Sequence, residues 1–237
     1  MQQEPQIHFV LLAAGSGSRF GGEKTLVQLG GIPLFMHSFR RFMPLCDTMT
    51  LVVSAQRVDE YRAICEKECE TVQKLHVIAG GTSRTESVSN ALNSLSERGF
   101  ADGLVAIHDA ARPFASAETF SNLCQKAIQF GGAIPADPLT DTLLHADDAM
   151  LVDGAIPREN AWRVATPQVF DLKALNNAYA LAASKSYTDD AQVLRAAGGK
   201  VAIVRQREFN IKITYPQDII LAQAILEHEK TMKAMWE

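Results

Sequence analysis

The stretch LLAAGSGSRFGGEK, residues 11–24, carries the strongest indication of how this chain is built. An apolar run ends there in a glycine-rich segment, and two isolated cations, Arg19 and Lys24, accompany the glycines. Glycine lets backbone amides approach a phosphate closely, and arginine is a forked cation that matches phosphate oxygens. The pattern alone is weak, because a tight turn without a ligand also selects glycine. A dinucleotide fingerprint would need glycine where Phe20 stands, and a P-loop would need Gly-Lys followed by Ser or Thr.

Beyond this segment, apolar strand-like runs alternate with amphipathic stretches. The alternation predicts an α/β protein with a Rossmann-like, mostly parallel sheet and helices on both faces. Pro33, Ser116 and Pro216 mark helix starts. The predicted strands are IHFVLLA, MTLVVSA, LHVIAG, LVAIHD, GAIPA, VAIVRQ and NIKIT. Without a low-complexity linker, we expect residues 1–237 to form a single domain.

One region, residues 138–164, interrupts the alternation. Two extended-looking runs flank the turn-rich segment HADDAM, which predicts a protruding β-hairpin arm. A small hairpin is marginal alone, so we expect the arm to pack on a second subunit. The alternative is an arm that folds back on its own domain.

The composition excludes several classes of partner. A net charge of −4 argues against a broad nucleic-acid or membrane surface, and the apolar N-terminal run is too short to span a bilayer. We therefore expect a cytoplasmic protein that binds neither nucleic acid nor membrane. The cysteines, Cys46, Cys65, Cys69 and Cys124, form no CxxC pair, and we expect them to be reduced.

Four segments follow predicted strands, where ligands collect in open α/β sheets. The first is the glycine-rich segment, and the second, GGTSRTES at 80–87, offers small hydroxyls that could equally cap a helix. In the third, HDAARPF at 108–114, Asp109 could hold a substrate hydroxyl or hydrated Mg²⁺, or form a structural pair with Arg112. In the fourth, Lys212 interrupts NIKIT; it could serve an anion or guard an edge strand.

Taken together, the segments predict a cationic cluster in an acidic protein. Its members are Arg19, Lys24, Arg112 and Lys212. Such a cluster suits an electron-rich substrate such as a nucleoside triphosphate.

The motifs in this order resemble those of the 2-C-methyl-D-erythritol 4-phosphate cytidylyltransferase family, over nearly the whole chain. They are AAGSGSR, the pattern GGxxRxxSV at 80–88, HDAARP, TPQ at 166–168, TDDA at 188–191 and NIKIT. The resemblance implies the nucleotide-diphospho-sugar transferase type of fold. It also implies a Mg²⁺-dependent reaction in which CTP and 2-C-methyl-D-erythritol 4-phosphate give the CDP-linked product and pyrophosphate. The metal would be bound largely through the CTP phosphates, and its protein ligands are unknown.

The resemblance also implies roles for individual residues. Arg19, Lys24, Arg158 and Lys212 would be catalytic. The nucleotide would contact Ala13, Ala14, Gly15, Gly17, Gly81, Thr82, Ser87, Asp109 and Ala110. The second substrate would contact Asp109, Arg112, Thr142, Arg158, Thr166 and Thr188. The loop from Arg19 to Lys24 is shorter than the family usually has, and EKTL replaces its usual PKQY.

The resemblance further implies a homodimer in which the arm delivers Thr142 and Arg158 into the neighbouring subunit's pocket. One alternative is a ribitol 5-phosphate cytidylyltransferase, which shares the HDA-type and NIK-type motifs and differs in its acceptor pocket. The other is a nucleotide-binding module without transferase activity. The missing third glycine and the lack of a ribose-binding acid after the second strand disfavour it.

Overall fold

The computed structural model describes residues 4–15, 17–67, 74–182, 187–206 and 208–236, with side chains described up to residue 232. Cys69 lies outside these ranges. The strands are β1 (Ile7–Leu12), β2 (Gln28–Leu29), β3 (Ile32–Pro33), β4 (Thr48–Val53), β5 (Leu75–Ala79), β6 (Leu104–Asp109), β7 (Gly132–Pro138), β8 (Leu143–Ala146), β9 (Val152–Ile156), β10 (Trp162–Val164), β11 (Gln168–Asp171) and β12 (Ala202–Arg205). The α-helices are α1 (Leu34–Phe42), α2 (Val58–Glu66), α3 (Arg84–Glu97), α4 (Ala117–Phe130), α5 (Leu172–Leu181), α6 (Asp190–Ala196) and α7 (Asp218–Trp236).

The main sheet is mixed, with a parallel core. Its strands run in the order β10-β7-β11-β6-β1-β4-β5, and β12 pairs with β7. Strands β6, β1, β4 and β5 are mutually parallel, whereas β11 is antiparallel to both β6 and β7. The predicted α/β architecture is confirmed, and the antiparallel β11 is an element that the sequence analysis did not predict.

Both faces of the sheet are buried, which explains why its central strands are continuously apolar. In β1, Phe9 and Leu11 belong to one core cluster, and the intervening Val10 belongs to another on the opposite face. This alternation follows from the period of two in a strand. Helix residues complete each cluster, such as Phe39 of α1 on the first face and Leu92 of α3 on the second.

The predicted helix starts are close to the observed ones. Ser116 caps α4 by accepting a hydrogen bond from Thr119 N at 3.1 Å, and Gly131 ends the helix in the left-handed conformation at φ 89°. Pro33 immediately precedes α1, and Pro216 lies two residues before α7. None of the described helices combines the length and apolar character needed to cross a bilayer.

The expected strand at NIKIT is wrong. Residues 211–214 have no strand partner, although Ile213 N donates to Ala111 O at 2.8 Å. Ile213 is fully buried in a third apolar cluster with Phe114 and with Ala222 of α7. Burial of this one side chain fixes the segment beside the carboxyl end of β6 without a ladder of backbone hydrogen bonds.

The predicted arm is present as a separate two-stranded sheet. Strands β8 and β9 pair antiparallel with each other, and all their residues are exposed except the half-exposed Gly154. Leu144, Leu151 and Val152 expose more than half of their surface. In the described part of the chain, the arm therefore projects as a hairpin with uncovered apolar side chains, instead of folding back on its own domain.

Candidate active site

A cavity of about 500 Å³ lies at the carboxyl ends of β1, β5 and β6. This is the edge of an α/β sheet where ligands are expected. Seven of the predicted nucleotide-binding residues line it: Ala13, Ala14, Gly15, Gly81, Thr82, Ser87 and Asp109. Two cations predicted to be catalytic, Lys24 and Lys212, line it as well. The fold thus gathers residues separated by almost 200 positions around one opening.

Two loops on the cavity wall pack closely through Gly80. A Cβ atom at Gly80 would lie 2.5 Å from Ala14 Cβ and 2.8 Å from Ser87 Oγ, distances that real contacts do not show. Ser87 Oγ also accepts a hydrogen bond from Gly81 N at 3.1 Å and donates to Ser83 O at 2.9 Å. Gly80 is therefore needed to bring the loop before α3 against the loop after β1.

The loop before α3 is also held by hydrogen bonds to the carboxylate of Glu86. Glu86 accepts hydrogen bonds from Thr82 N and Thr82 Oγ1, both at 2.6 Å, and these bonds lower its pKa. Ser83 Oγ caps α3 by accepting from Glu86 N at 3.1 Å. The capping role considered for this segment is therefore present, alongside its place on the cavity wall.

The glycine-rich loop turns sharply at Gly17. Its φ is +61°, and a Cβ atom there would collide with Gly22 O, so glycine is required. Gly17 O accepts hydrogen bonds from Phe20 N at 2.8 Å and Gly21 N at 3.0 Å. Gly17 itself does not line the cavity. The compact turn nevertheless explains how the shortened loop can place Lys24 on the cavity wall.

Lys24 begins a single 3-10 turn, Lys24–Leu26, and lines the cavity. Its Nζ donates to Ile213 O at 3.1 Å. Burial lowers the pKa of Lys24, and the neighbouring charges of Lys212 and Arg19 lower it further, while Asp109 opposes them. Arg19 is exposed, with its guanidinium 5.9 Å from the ring centroid of Tyr215. Arg19 therefore stands near the cavity without lining it.

Asp109 is the anionic centre of the site. Its Oδ2 lies 2.7 Å from Lys212 Nζ and 3.9 Å from Arg112 Nε, and its Oδ1 lies 3.5 Å from Arg84 Nε. Burial raises the pKa of Asp109, but Lys212, Arg84 and Arg112 together hold it well below its usual range. The closest partner is Lys212, so Asp109 and Arg112 are members of a wider cluster and not an isolated structural pair.

A buried hydrogen-bond network supports Asp109 from beneath. Thr166 Oγ1 accepts from Asp109 N at 3.0 Å and lies 2.8 Å from His108 Nδ1, while His108 Nε2 lies 3.1 Å from Arg112 O. Because a carbonyl only accepts, Nε2 carries the proton and Nδ1 accepts from the Thr166 hydroxyl. Burial lowers the pKa of His108 to about 3, consistent with a neutral ring. Thr166, predicted to contact substrate, is buried and has its hydroxyl in this network.

Arg84 is a cavity residue that the sequence analysis did not select. It donates to Asp190 Oδ2 at 2.7 Å as well as approaching Asp109. Burial alone would lower its pKa, but Asp190 and Asp109 raise it. The available signals were the arginine inside GGTSR and the acidic pair inside TDDA, and nothing in the sequence indicated that the two would meet.

A second cavity of about 270 Å³ adjoins the first through Lys212, which lines both. Arg112 also lines it, and its guanidinium donates to Asn210 O at 2.9 Å. Burial lowers the pKa of Arg112, although Asp109 opposes that effect. Lys212 therefore lies at the junction of the two cavities.

The remaining predicted residues do not line the first cavity. Ala110 is fully buried, and its N donates to Leu12 O at 2.9 Å. Thr188 is exposed and accepts a hydrogen bond from Gln192 Nε2 at 2.8 Å. Thr142 and Arg158 are exposed on the arm, where Arg158 donates to Thr140 O at 3.0 Å. In the described part of the chain, neither Thr142 nor Arg158 lines either of the two cavities.

Comparison with known proteins agrees with this geometry. Residues 7–228 match the family model described as IspD, 2-C-methyl-D-erythritol 4-phosphate cytidylyltransferase. A protein of that description from Halalkalibacterium halodurans is 34% identical over 227 residues, covering 93% of this chain and 97% of the relative. Another from Bacillus licheniformis is 35% identical over 227 residues, covering 93% and 96%.

A solved structure described as 4-diphosphocytidyl-2C-methyl-D-erythritol synthase from Anaerococcus prevotii superposes with a TM-score of 0.79. It is 30% identical in sequence, and the match covers 94% of this chain and 96% of that one. The sequence match, the shared fold and the arrangement of motif residues lead to one conclusion. The chain belongs to the 2-C-methyl-D-erythritol 4-phosphate cytidylyltransferase family.

Proposed function

We propose that this protein transfers CMP from CTP to 2-C-methyl-D-erythritol 4-phosphate. The products are 4-diphosphocytidyl-2-C-methyl-D-erythritol and pyrophosphate, in non-mevalonate synthesis of isoprenoid precursors. Family membership supports the reaction. The structural observation that carries the assignment is Lys212, which lines both adjoining cavities and can therefore meet the phosphates of two substrates.

In this proposal, the larger cavity takes CTP. The glycines and small side chains of the two packed loops leave room for the nucleotide, and Lys24 and Lys212 present ammonium groups to its phosphates. Arg19 is exposed and close enough to Lys24 to affect its pKa, and in this proposal it meets the departing pyrophosphate. Cations of this kind are most effective where charge develops in the transition state.

The smaller cavity takes the acceptor phosphate. Arg112 and Lys212 supply positive charge there. A phosphate oxygen of the acceptor attacks the α-phosphorus of CTP in line and forms a new P–O bond. The bond from that phosphorus to the bridging oxygen breaks, and its electron pair leaves with pyrophosphate. No covalent enzyme intermediate is needed, because the residues align two polyanions and stabilise charge.

We propose Mg²⁺ as the cofactor, held mainly by the CTP phosphates and by water. Asp109 is a carboxylate on the cavity wall, and because Lys212, Arg84 and Arg112 already surround it, it would meet a hydrated ion through water. The described residues contain no group of three or more His, Cys, Asp or Glu side chains arranged to hold a metal. A site with one wall carboxylate fits an ion that takes most of its ligands from the nucleotide. When bound, Mg²⁺ would neutralise phosphate charge.

We further propose a homodimer in which the arm serves the neighbouring pocket. The exposed apolar side chains of β8 and β9, together with the separation of Thr142 and Arg158 from the cavity, support this arrangement. A cytoplasmic location is part of the same proposal, and the free thiols of Cys46 and Cys124 are compatible with it.

An acceptor panel tests the reaction. Purified protein with CTP and Mg²⁺ should release pyrophosphate when 2-C-methyl-D-erythritol 4-phosphate is added. Turnover only with ribitol 5-phosphate would overturn the acceptor assignment, and CTP binding without turnover on either acceptor would indicate a binding module. Arg19→Ala and Lys212→Ala should each lower turnover by on the order of two decades. Near-normal turnover of both variants would remove these residues from the mechanism.

Mixed dimers test the arm. A subunit carrying Arg158→Ala is combined with one carrying Arg19→Ala. If the arm acts in trans, one pocket of each mixed dimer retains both arginines, and part of the activity returns. No recovery in a verified mixed dimer would mean that the arm serves its own subunit.

A further inference from the structure

A neutral tyrosine and four side chains of alternating charge form a continuous series from the helical layer to the cavity. The hydroxyl of Tyr179 donates to Asp190 Oδ1 at 2.6 Å, and Arg84 donates to Asp190 Oδ2 at 2.7 Å. Arg84 Nε then lies 3.5 Å from Asp109 Oδ1, and Lys212 Nζ lies 2.7 Å from Asp109 Oδ2. We call these residues the relay. It connects α5, α6, α3 and β6 to the lysine shared by the two cavities.

The inner end of the relay is firmly fixed. The Asp190 side chain is 0% exposed, whereas Arg84 is 27% and Lys212 38% exposed. Gln168 Oε1 accepts a hydrogen bond from Asp190 N at 3.2 Å, so the backbone is held as well. A buried carboxylate without a cation would be costly, so Asp190 retains Arg84 strongly.

This arrangement determines how Asp109 is shared. Arg84 commits one terminal nitrogen to Asp190 and reaches Asp109 only through Nε at the longer distance. Asp109 Oδ2 is thereby left to Lys212 at 2.7 Å, with Arg112 Nε farther away at 3.9 Å. Without the negative charge at position 190, the guanidinium would be free to turn and form a two-bond pair with Asp109, a favoured geometry for arginine and carboxylate. Lys212 would then lose its anchor.

We propose that Asp190 is a positioning residue that acts through Arg84 and Asp109 to hold the Lys212 ammonium at the junction of the two cavities. The role rests on the proposed function, since it matters only if Lys212 serves the substrates. Tyr179 contributes by fixing the second oxygen of Asp190.

A double-mutant cycle in kcat/KM tests the relay. Asp190→Asn removes the charge at nearly constant size, and Lys212→Ala removes the group it is proposed to position. Pyrophosphate release is measured for the native chain, both single variants and the double variant, with CTP, Mg²⁺ and 2-C-methyl-D-erythritol 4-phosphate. We expect Asp190→Asn to lower kcat/KM roughly tenfold in the native background and less than about threefold beside Lys212→Ala, because coupled residues are non-additive.

The matched control is Asp189→Asn, the same change at the adjacent position. Asp189 caps α6 by accepting from Gln192 N at 3.0 Å, and asparagine can do the same. We expect this variant to keep kcat/KM within about twofold of the native value. A loss equal to that of Asp190→Asn would show a general effect of this helix start and overturn the proposal.

Urea unfolding is recorded for every variant. If Asp190→Asn does not fold, Tyr179→Phe replaces it in the cycle, since this change removes one hydrogen bond and keeps the ring. If the change at position 190 or 179 lowers kcat/KM by the same factor with Lys212 present and in the Lys212→Ala background, the relay is overturned and the proposed function stands. Full activity of Lys212→Ala would instead overturn the proposed use of Lys212.

Discussion

Replacement of Thr166 by valine should destabilise the protein through two buried hydrogen bonds. Valine has nearly the shape of threonine but cannot bond to Asp109 N or to His108 Nδ1, which lie 3.0 and 2.8 Å from the hydroxyl. Each buried group left without a partner costs about 1–3 kcal/mol, and no cavity forms, so we expect a loss of about 3 kcal/mol in the free energy of unfolding. The affected amide belongs to Asp109, so kcat should fall as well.

The assay is urea unfolding at pH 7, with Thr166→Ser as the matched control. Serine keeps the hydroxyl and loses only a methyl group, so its loss should be about 1 kcal/mol. A valine variant as stable as the serine variant would refute the tautomer and the network assigned to His108. Native stability of Thr166→Val with a raised KM for the acceptor would favour the substrate contact implied by the sequence resemblance.

Three further outcomes are expected. The pKa of His108 is about 3 in the folded protein and about 6.5 in the unfolded chain. Below pH 6.5 the unfolded chain therefore binds a proton that the folded protein does not. The contribution of His108 to the free energy of unfolding is complete above pH 6.5 and is lost as the pH falls toward 3. Urea unfolding should show that this group lowers the free energy of unfolding by about 2 kcal/mol between pH 7 and 5. His108→Gln should remove that part of the pH dependence. An unchanged pH dependence in this variant would contradict a buried neutral ring. Gly80→Ala should cost about 1–3 kcal/mol in the free energy of unfolding and raise the KM for CTP, because its Cβ would force the two cavity loops apart. Native values of both quantities would contradict this close packing. Lys24→Ala should lower kcat/KM by on the order of two decades in the pyrophosphate assay, while alanine at the exposed Lys173 should leave it unchanged; equal effects would show that the short loop does not serve the triphosphate.

The amino-acid sequence was sufficient to predict the elements whose signals are local. The apolar run before Gly15 forms a buried central strand, Ser116 caps its helix, and residues 138–164 contain a separate hairpin. These features depend on periodicity, capping and turn chemistry over a few residues. The carboxyl-end rule then placed the glycine-rich loops and Asp109 at one edge of the sheet.

Tertiary structure decided the features that depend on distant contacts. NIKIT has the composition of a strand, but burial of Ile213 beneath α7 fixes it without strand pairing. Strand β11 inserts antiparallel between β6 and β7, an order that its four residues do not encode.

The pairing of Arg84 with Asp190 joins residues 106 positions apart, and Asp109 is shared among three cations, Arg84, Arg112 and Lys212. Residue types and their spacing indicate only local geometry. The partners of a buried charged group, and the strength of its electrostatic interactions, depend on which groups the packed chain brings within a few ångströms.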